Sequence, residues 1–232
     1  YPAGECNPIL TFENPSFEDN IPFISPDGGT SVIGSPGCFT APYPWVDCMS
    51  FITMTGDIDQ ATPGNQPGCY SIQLPASDGN NYLGIGHITN SEYAGWNINS
   101  DLSQFQEGVS QSLSSNMIAG IEYSFTIDLV NIWTPEPWGS GTFNPDTVPT
   151  VGELRVYAGF EDCSEQELLW SSGLVDNEDW ETFLINFTPS DNYTHVLFQA
   201  VEPESNNSTS YLGLDNISEI TPTSDFQTIL NC

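Results

Sequence analysis

Tyr123-Ser-Phe-Thr-Ile-Asp-Leu129 decides the fold class, because its apolar side chains occupy every second position. That is the period of a strand with one face in a core. Phe183-Leu-Ile-Asn-Phe187 and Val196-Leu-Phe-Gln-Ala200 repeat the pattern less strictly. Working outward, strands are expected at Tyr70–Leu74, Tyr82–Gly86, Gly108–Leu113, Tyr123–Asn131, Glu153–Ala158, Glu181–Phe187, His195–Ala200 and Tyr211–Ile220. Between these runs 20 glycines and 18 prolines act as turn punctuation, and helical periodicity is nearly absent. The pattern predicts an all-β protein, a two-sheet antiparallel jelly-roll sandwich with long Pro/Gly-rich loops near residues 20–65 and 132–150. No internal repeat or dividing linker is visible. One domain is expected over residues 1–232, with 1–8 and 221–232 as terminal extensions.

Charge defines the chemistry. One basic residue, Arg155, stands against 31 acidic ones, giving a formal charge of -30. Phosphate backbones and anionic membrane surfaces need clustered Lys and Arg, so nucleic acid and anionic lipid are excluded as partners. So many carboxylates repel one another unless cations relieve them, which makes calcium, with its all-oxygen ligand shells, the expected counter-charge. Hydrophobic residues make up 38% and aromatic ones 12% of the 232 residues, enough for a sizeable core and too many for a disordered acidic tail. No apolar run reaches the ~18 residues of a membrane-spanning helix. A start at Tyr1 without a charged-then-apolar leader reads as an exported chain whose signal has been removed.

Six cysteines lie at positions 6, 38, 48, 69, 163 and 232, without CxxC or Cys/His metal spacing, and the two histidines, His87 and His195, are far apart. Disulfides, and with them an oxidising extracellular compartment, are the expectation rather than zinc. Domain termini commonly meet, which favours Cys6 with Cys232, and sequence proximity favours Cys38 with Cys48. Cys69 with Cys163 would then remain, and the alternative that some thiols stay free and buried is open.

Six short motifs follow one another in a meaningful order: Asn14-Pro-Ser-Phe-Glu18, Asp78-Gly-Asn-Asn-Tyr-Leu-Gly-Ile-Gly86, Glu107-Gly-Val-Ser-Gln-Ser-Leu113, Ala119-Gly-Ile-Glu-Tyr-Ser-Phe125, Trp180-Glu-Thr-Phe183 and Tyr211-Leu-Gly-Leu-Asp-Asn-Ile-Ser218. The series resembles the galactose-binding-like jelly rolls found as carbohydrate-binding modules, and as lectin-like domains of secreted surface proteins in gliding, Bacteroidetes-type bacteria. The resemblance implies that the Phe-Glu and Asp-Asn segments lie side by side and hold a structural calcium. Glu18 and Asp215 would be its carboxylate ligands, with Asn14 or Asn80 completing the oxygen shell. The competing reading makes Asp215 a turn cap and Glu18 a solvated acid.

Sugar recognition needs aromatic faces with carboxylates and amides nearby. Trp133 and Trp138 lie in a proline-rich insertion, and Tyr93 and Trp96 form a second aromatic pair. These four are the glycan-binding candidates, against the alternative that they pin long loops to the sandwich. Trp45 and Trp180 are assigned to the core or its edge. Catalysis is not expected: there is no Gly-x-Ser-x-Gly elbow, no His-Glu-x-x-His and no phosphate loop, and His87 and His195 read as structural.

The expected function is non-catalytic and extracellular. Sheet edges are commonly guarded by lysine, and this chain has none. Acid-guarded edges that calcium can neutralise, with no evident partner domain or anchor, favour a self-associating subunit of a filament, sheath or surface layer. The alternative is a soluble or cell-surface glycan-binding lectin whose partner is a polysaccharide. Asn186, Asn192, Asn206, Asn207 and Asn216 open Asn-x-Ser/Thr triplets, and Thr147 in Asp146-Thr-Val148 resembles a bacterial O-glycan acceptor.

Overall fold

The computed structural model describes residues 8–18, 44–48, 57–60, 74–89, 104–132, 151–201 and 210–223. Among these residues twelve strands run in chain order: β1 (Val46–Asp47), β2 (Asp57–Gln60), β3 (Asn81–Thr89), β4 (Gln104–Gln106), β5 (Gly108–Ser112), β6 (Tyr123–Asn131), β7 (Glu153–Gly159), β8 (Glu167–Ser171), β9 (Glu181–Phe187), β10 (His195–Val201), β11 (Ser210–Asp215) and β12 (Thr221–Pro222). No helix occurs among the described residues.

The strands form two antiparallel sheets. One has the order β1-β5-β10-β7-β8. In the other, β6 pairs with β9 on one side and with both β11 and β12 on the other, while β3 pairs with β11 on one side and with β2 and β4 on the other. Seven strands therefore fill five columns, and each sheet is five columns wide. At Glu107 the chain steps from one sheet to the other: its N–H donates to Gly86 and its carbonyl accepts from Ala200. The fold is the two-sheet antiparallel sandwich that the alternation predicts.

Alternation along β6 explains the core. Tyr123, Phe125, Ile127 and Leu129 point between the sheets and are buried, whereas Ser124 and Thr126 are half-buried on the other face. Leu83 and Ile85 on β3, Val156 and Ala158 on β7, and Val196, Phe198 and Ala200 on β10 fill the same layer. Phe12 and Trp45 stack at 5.6 Å, and Trp45 also meets Phe17 and Phe198 at 5.5 and 5.8 Å. Aromatic pairs at such spacing contribute about 0.5–1.5 kcal/mol beyond the area they bury, so residues 12–17 are fastened into the sandwich. Trp45 is thus a core residue. Trp180 lies on the outer face of the seven-stranded sheet, edge-on to Tyr82 and close over Gly213, where an added Cβ would come within 2.9 Å of its ring.

One strand expectation needs correction, and β8 is among the strands additional to those expected. Tyr211–Ile220 is not one strand: β11 stops at Asp215, Asn216 adopts φ 49°, and pairing resumes only at Thr221. Thr221 and Pro222 belong to the sheet rather than to an extension; as a short edge strand β12 tolerates the proline. β8 was not anticipated, because Glu167-Leu-Leu-Trp-Ser171 has contiguous apolar residues and no alternation. Most of Tyr70–Leu74 lies outside the described residues, and Leu74 is not in a strand.

The cysteine pairing also differs. Cys48 is bonded to Cys163, with Cα atoms 5.1 Å apart, so the Cys38–Cys48 and Cys69–Cys163 pairings are overturned. Sequence proximity misled here, since the order β1-β5-β10-β7 brings the end of β1 within reach of the β7–β8 loop across 115 residues of chain. Cys6, Cys38, Cys69 and Cys232 lie outside the described residues.

Candidate functional site

The Asn14–Glu18 turn and the end of β11 lie side by side: the Ile217 N–H donates to the Pro15 carbonyl at 3.1 Å. Asn14 and Phe17 are both left-handed, with φ 52° and 54°, an uncommon conformation for side-chain-bearing residues. Burial of the Phe17 ring secures the turn. The Asn14 carbonyl accepts from the Phe17 N–H at 3.2 Å and from Trp45 Nε1 at 3.0 Å. Both lone pairs of this carbonyl are therefore engaged.

Glu18 is half-buried and grips the loop before β3. Its Oε1 accepts the N–H groups of Asn80 and Asn81 at 2.7 and 2.8 Å. Gly79, at φ 67°, passes beneath the carboxylate so closely that an added Cβ would meet the Glu18 carboxyl group. Asp215 grips the same loop from the other side: Oδ2 accepts the Asp78 N–H at 2.8 Å and Oδ1 accepts the Asn216 N–H at 2.7 Å. Glu18 is thus not a merely solvated acid, and the turn-capping attributed to Asp215 occurs together with a second, longer-range contact.

Asp215 has no solvent exposure. Burial pushes its carboxyl up to about 7, against the opposing hydrogen bonds from Asp78, Asn216 and Ser77. Its cross-strand neighbour Asp128 behaves differently. Burial raises Asp128 too, but hydrogen bonds from Ser77 (2.6 Å), Thr182 (2.6 Å) and Asn216 (3.1 Å) outweigh it and hold the group below its ordinary value. Asp128, Ser77 and Thr182 were missed in the sequence. Asp128 falls at an outward position of the alternating β6 segment, and no motif links it to the other two.

Among the described residues, no three His, Cys, Asp or Glu side chains are grouped to share a metal ion. The donors present, a buried carboxylate, a half-buried one and amide oxygens, fit a hard cation that takes much of its shell from oxygens other than carboxylates. The histidines stand apart: His87 is buried on the core side of β3, and His195 shares its Nδ1 with Thr194 Oγ1 at 2.7 Å.

The sandwich has two unlike ends. Glu18, the 77–81 loop and Asp215 lie where β3 begins and β11 finishes. At the opposite end, pairing of Ser210 with His87, Leu212 with Asn131 and Val201 with Glu153 places the last residues of β3, β6 and β10 together. Residues 90–103, 133–150 and 202–209 follow β3, β6 and β10 in the chain. Tyr93 and Trp96 belong to the first, and Trp133, Trp138 and Thr147 to the second; all five lie outside the described residues.

No family model matches the chain, and no curated protein does. Among solved structures, an arabinose-bound α-L-arabinofuranosidase, MgGH51, is 11% identical and matches 96% of this chain and 28% of its own, with a TM-score of 0.54. This shows a shared fold, and the chain spans little more than a quarter of that enzyme's length. The carbohydrate-binding module TmCBM61, solved with β-1,4-galactotriose, is 13% identical over 91% of this chain and 97% of its own, with a TM-score of 0.42. The K1 cleaved adhesin domain of Lys-gingipain from Porphyromonas gingivalis W83 is 13% identical over 81% and 96%, with a TM-score of 0.46. The chain is a two-sheet β-sandwich whose structural neighbours include carbohydrate-binding modules and a bacterial adhesin domain.

Proposed function

We propose that the chain is a non-catalytic glycan-binding module whose one end is stapled by calcium and whose other end carries the sugar surface. The observation that carries this reading is that β3 and β6, the strands that precede residues 90–103 and 133–150 in the chain, finish at the same end of their sheet. Tyr93, Trp96, Trp133 and Trp138 would supply the aromatic faces that stack on sugar rings. The net charge of -30 favours neutral oligosaccharides over acidic ones. Calcium would be held by Glu18 and Asp215, with oxygen from Asn14 or Asn80, and would neutralise a buried carboxylate whose described partners are all uncharged hydrogen-bond donors. The Cys48–Cys163 bond fits an oxidising, extracellular location.

Affinity electrophoresis against a panel of neutral polysaccharides tests this reading. Replacing Trp133 or Trp138 with Ala should weaken retardation by about 1 kcal/mol or more, with little change in Tm. A fall in Tm without selective loss of binding would assign these side chains to loop anchoring instead.

A second reading, self-association into a filament, sheath or surface layer, has its own observation. β8 and β9 are the edge strands of their sheets on the same flank, joined by the Trp170–Phe183 contact, and they expose Leu168 and Leu184. In that reading the partner is a second copy of the chain.

A further inference from the structure

The outer face of the five-stranded sheet carries one in-register row across all five strands: Val46, Ser110, Leu197, Tyr157 and Leu168. At strand spacings of about 4.8 Å the row spans roughly 19 Å. Its ends are open, with Val46 38% and Leu168 50% exposed, whereas Ser110 and Leu197 at its centre are 0% and 1% exposed. The Ser110 hydroxyl is buried there without a hydrogen-bond partner.

Residues 160–166, which join β7 to β8, cross this face. Ser164 sits on Gly159 so closely that an added Cβ would fall 2.3 Å from its Cβ. Glu165 accepts from Gln199 Nε2 at 3.0 Å, and Asp162 stands 3.7 Å from His195 Nε2. Cys163, at φ 61°, is bonded to Cys48 beyond the end of β1, at the far edge of the sheet. The Phe160 ring also meets Tyr193 at 5.0 Å, but Phe160, Glu161, Asp162, Glu165 and Gln166 are all exposed, so these noncovalent contacts lie at the surface. The strap also brings Glu161, Asp162 and Glu165 onto a chain that is already strongly acidic. Left-handed backbone at a non-glycine residue persists only when its surroundings enforce it, and the covalent bond to Cys48 is one such constraint.

We propose that the 160–166 segment is a thiol-controlled strap: the Cys48–Cys163 bond closes it over the five-stranded face, and reduction releases it and uncovers the Ser110–Leu197 centre of the row. A dithiol reductant opens it by exchange. One thiolate attacks a sulfur and the S–S bond breaks; the reductant's second thiolate then resolves the mixed disulfide. The protein is left with two thiols and the reductant becomes a cyclic disulfide. The inference rests on the strand register and the strap contacts and does not depend on glycan binding.

The test is digestion with a protease that cleaves after glutamate, with peptides mapped by mass. The oxidised protein should resist cutting after Glu161 and Glu165. The Cys163→Ser and Cys48→Ser variants should be cut there at least tenfold faster, as should dithiothreitol-treated, alkylated protein. Strand-derived peptides and the far-ultraviolet spectrum should remain those of a folded sandwich. Gly159→Ala supplies the control, because it pushes on Ser164 while leaving the disulfide intact; it should stay resistant when oxidised. Rapid cutting of oxidised Gly159→Ala, or resistance of a folded Cys163→Ser variant, would show that packing holds the strap and would overturn the proposal. Global unfolding of both cysteine variants would overturn it too, since the bond would then hold the domain rather than the strap.

Discussion

Asp215 is the residue at which burial and charge conflict most. Its carboxyl titrates near 7 in the fold, against 3.8 as the ordinary value. A carboxyl raised in the folded state favours folding while it is protonated. Its contribution is fully present below about pH 4 and is lost as the pH rises through 7. At about 1.4 kcal/mol per pKa unit the loss is up to ~4 kcal/mol. In chelator, the Tm of the wild type should therefore fall more steeply between pH 4 and 7 than that of Asp215→Asn. Calcium at about 100 times Kd adds roughly 2.7 kcal/mol, so it should recover a large part of this loss in the wild type at pH 7 and leave the variant unmoved. Parallel pH profiles in chelator, or an equal calcium response in the variant, would remove Asp215 from the proposed site.

Gly79 supports the same corner through backbone freedom. Its φ of 67° and the nearness of the Glu18 carboxyl group leave no room for a side chain. Gly79→Ala should cost about 1–3 kcal/mol in urea unfolding and weaken calcium binding by isothermal titration. Glu18, Asp215 and the segments bearing them could be found in the sequence because short motifs mark them. Asp128 could not: its partners Ser77 and Thr182 come from a loop and an edge strand that only the sheet brings together.

At the scale of elements, legibility followed alternation and length. β6 and β9 match their expected bounds, and β3, β5, β7 and β10 match within a few residues, because one face of each packs into the core. β1, β4 and β12, at two or three residues, are too short to show a period. β8 escaped because an edge strand with neither face fully covered has no reason to alternate. β8 and β9 also carry the prediction about assembly. Repulsion between copies reaches about 30 Å at 0.01 M salt and about 8 Å at 0.15 M, so edge pairing should strengthen with sodium chloride and more sharply with calcium. Light scattering through both titrations reads this directly, and Leu184→Glu should suppress any growth seen. Particles of constant mass throughout would exclude the edges as an assembly surface.

At the scale of the whole molecule, the sequence revealed a sandwich but not its connectivity. Which ends meet is set by strand register, and register places the Glu18–Asp215 corner at one end and the last residues of β3 and β6 at the other. The same topology replaces two expected disulfides with Cys48–Cys163, a contact that no local spacing announces. The central proposal is that one end of the sandwich binds calcium and the other binds sugar. Hydrogen exchange read by mass spectrometry, with calcium present and an oligosaccharide selected from a neutral glycan array, tests it most directly. The account predicts slowed exchange in peptides covering 90–103 and 133–150, with 77–81 and 210–216 responding to chelator instead. An array without a binder, or protection confined to β5, β7 and β10, would contradict it.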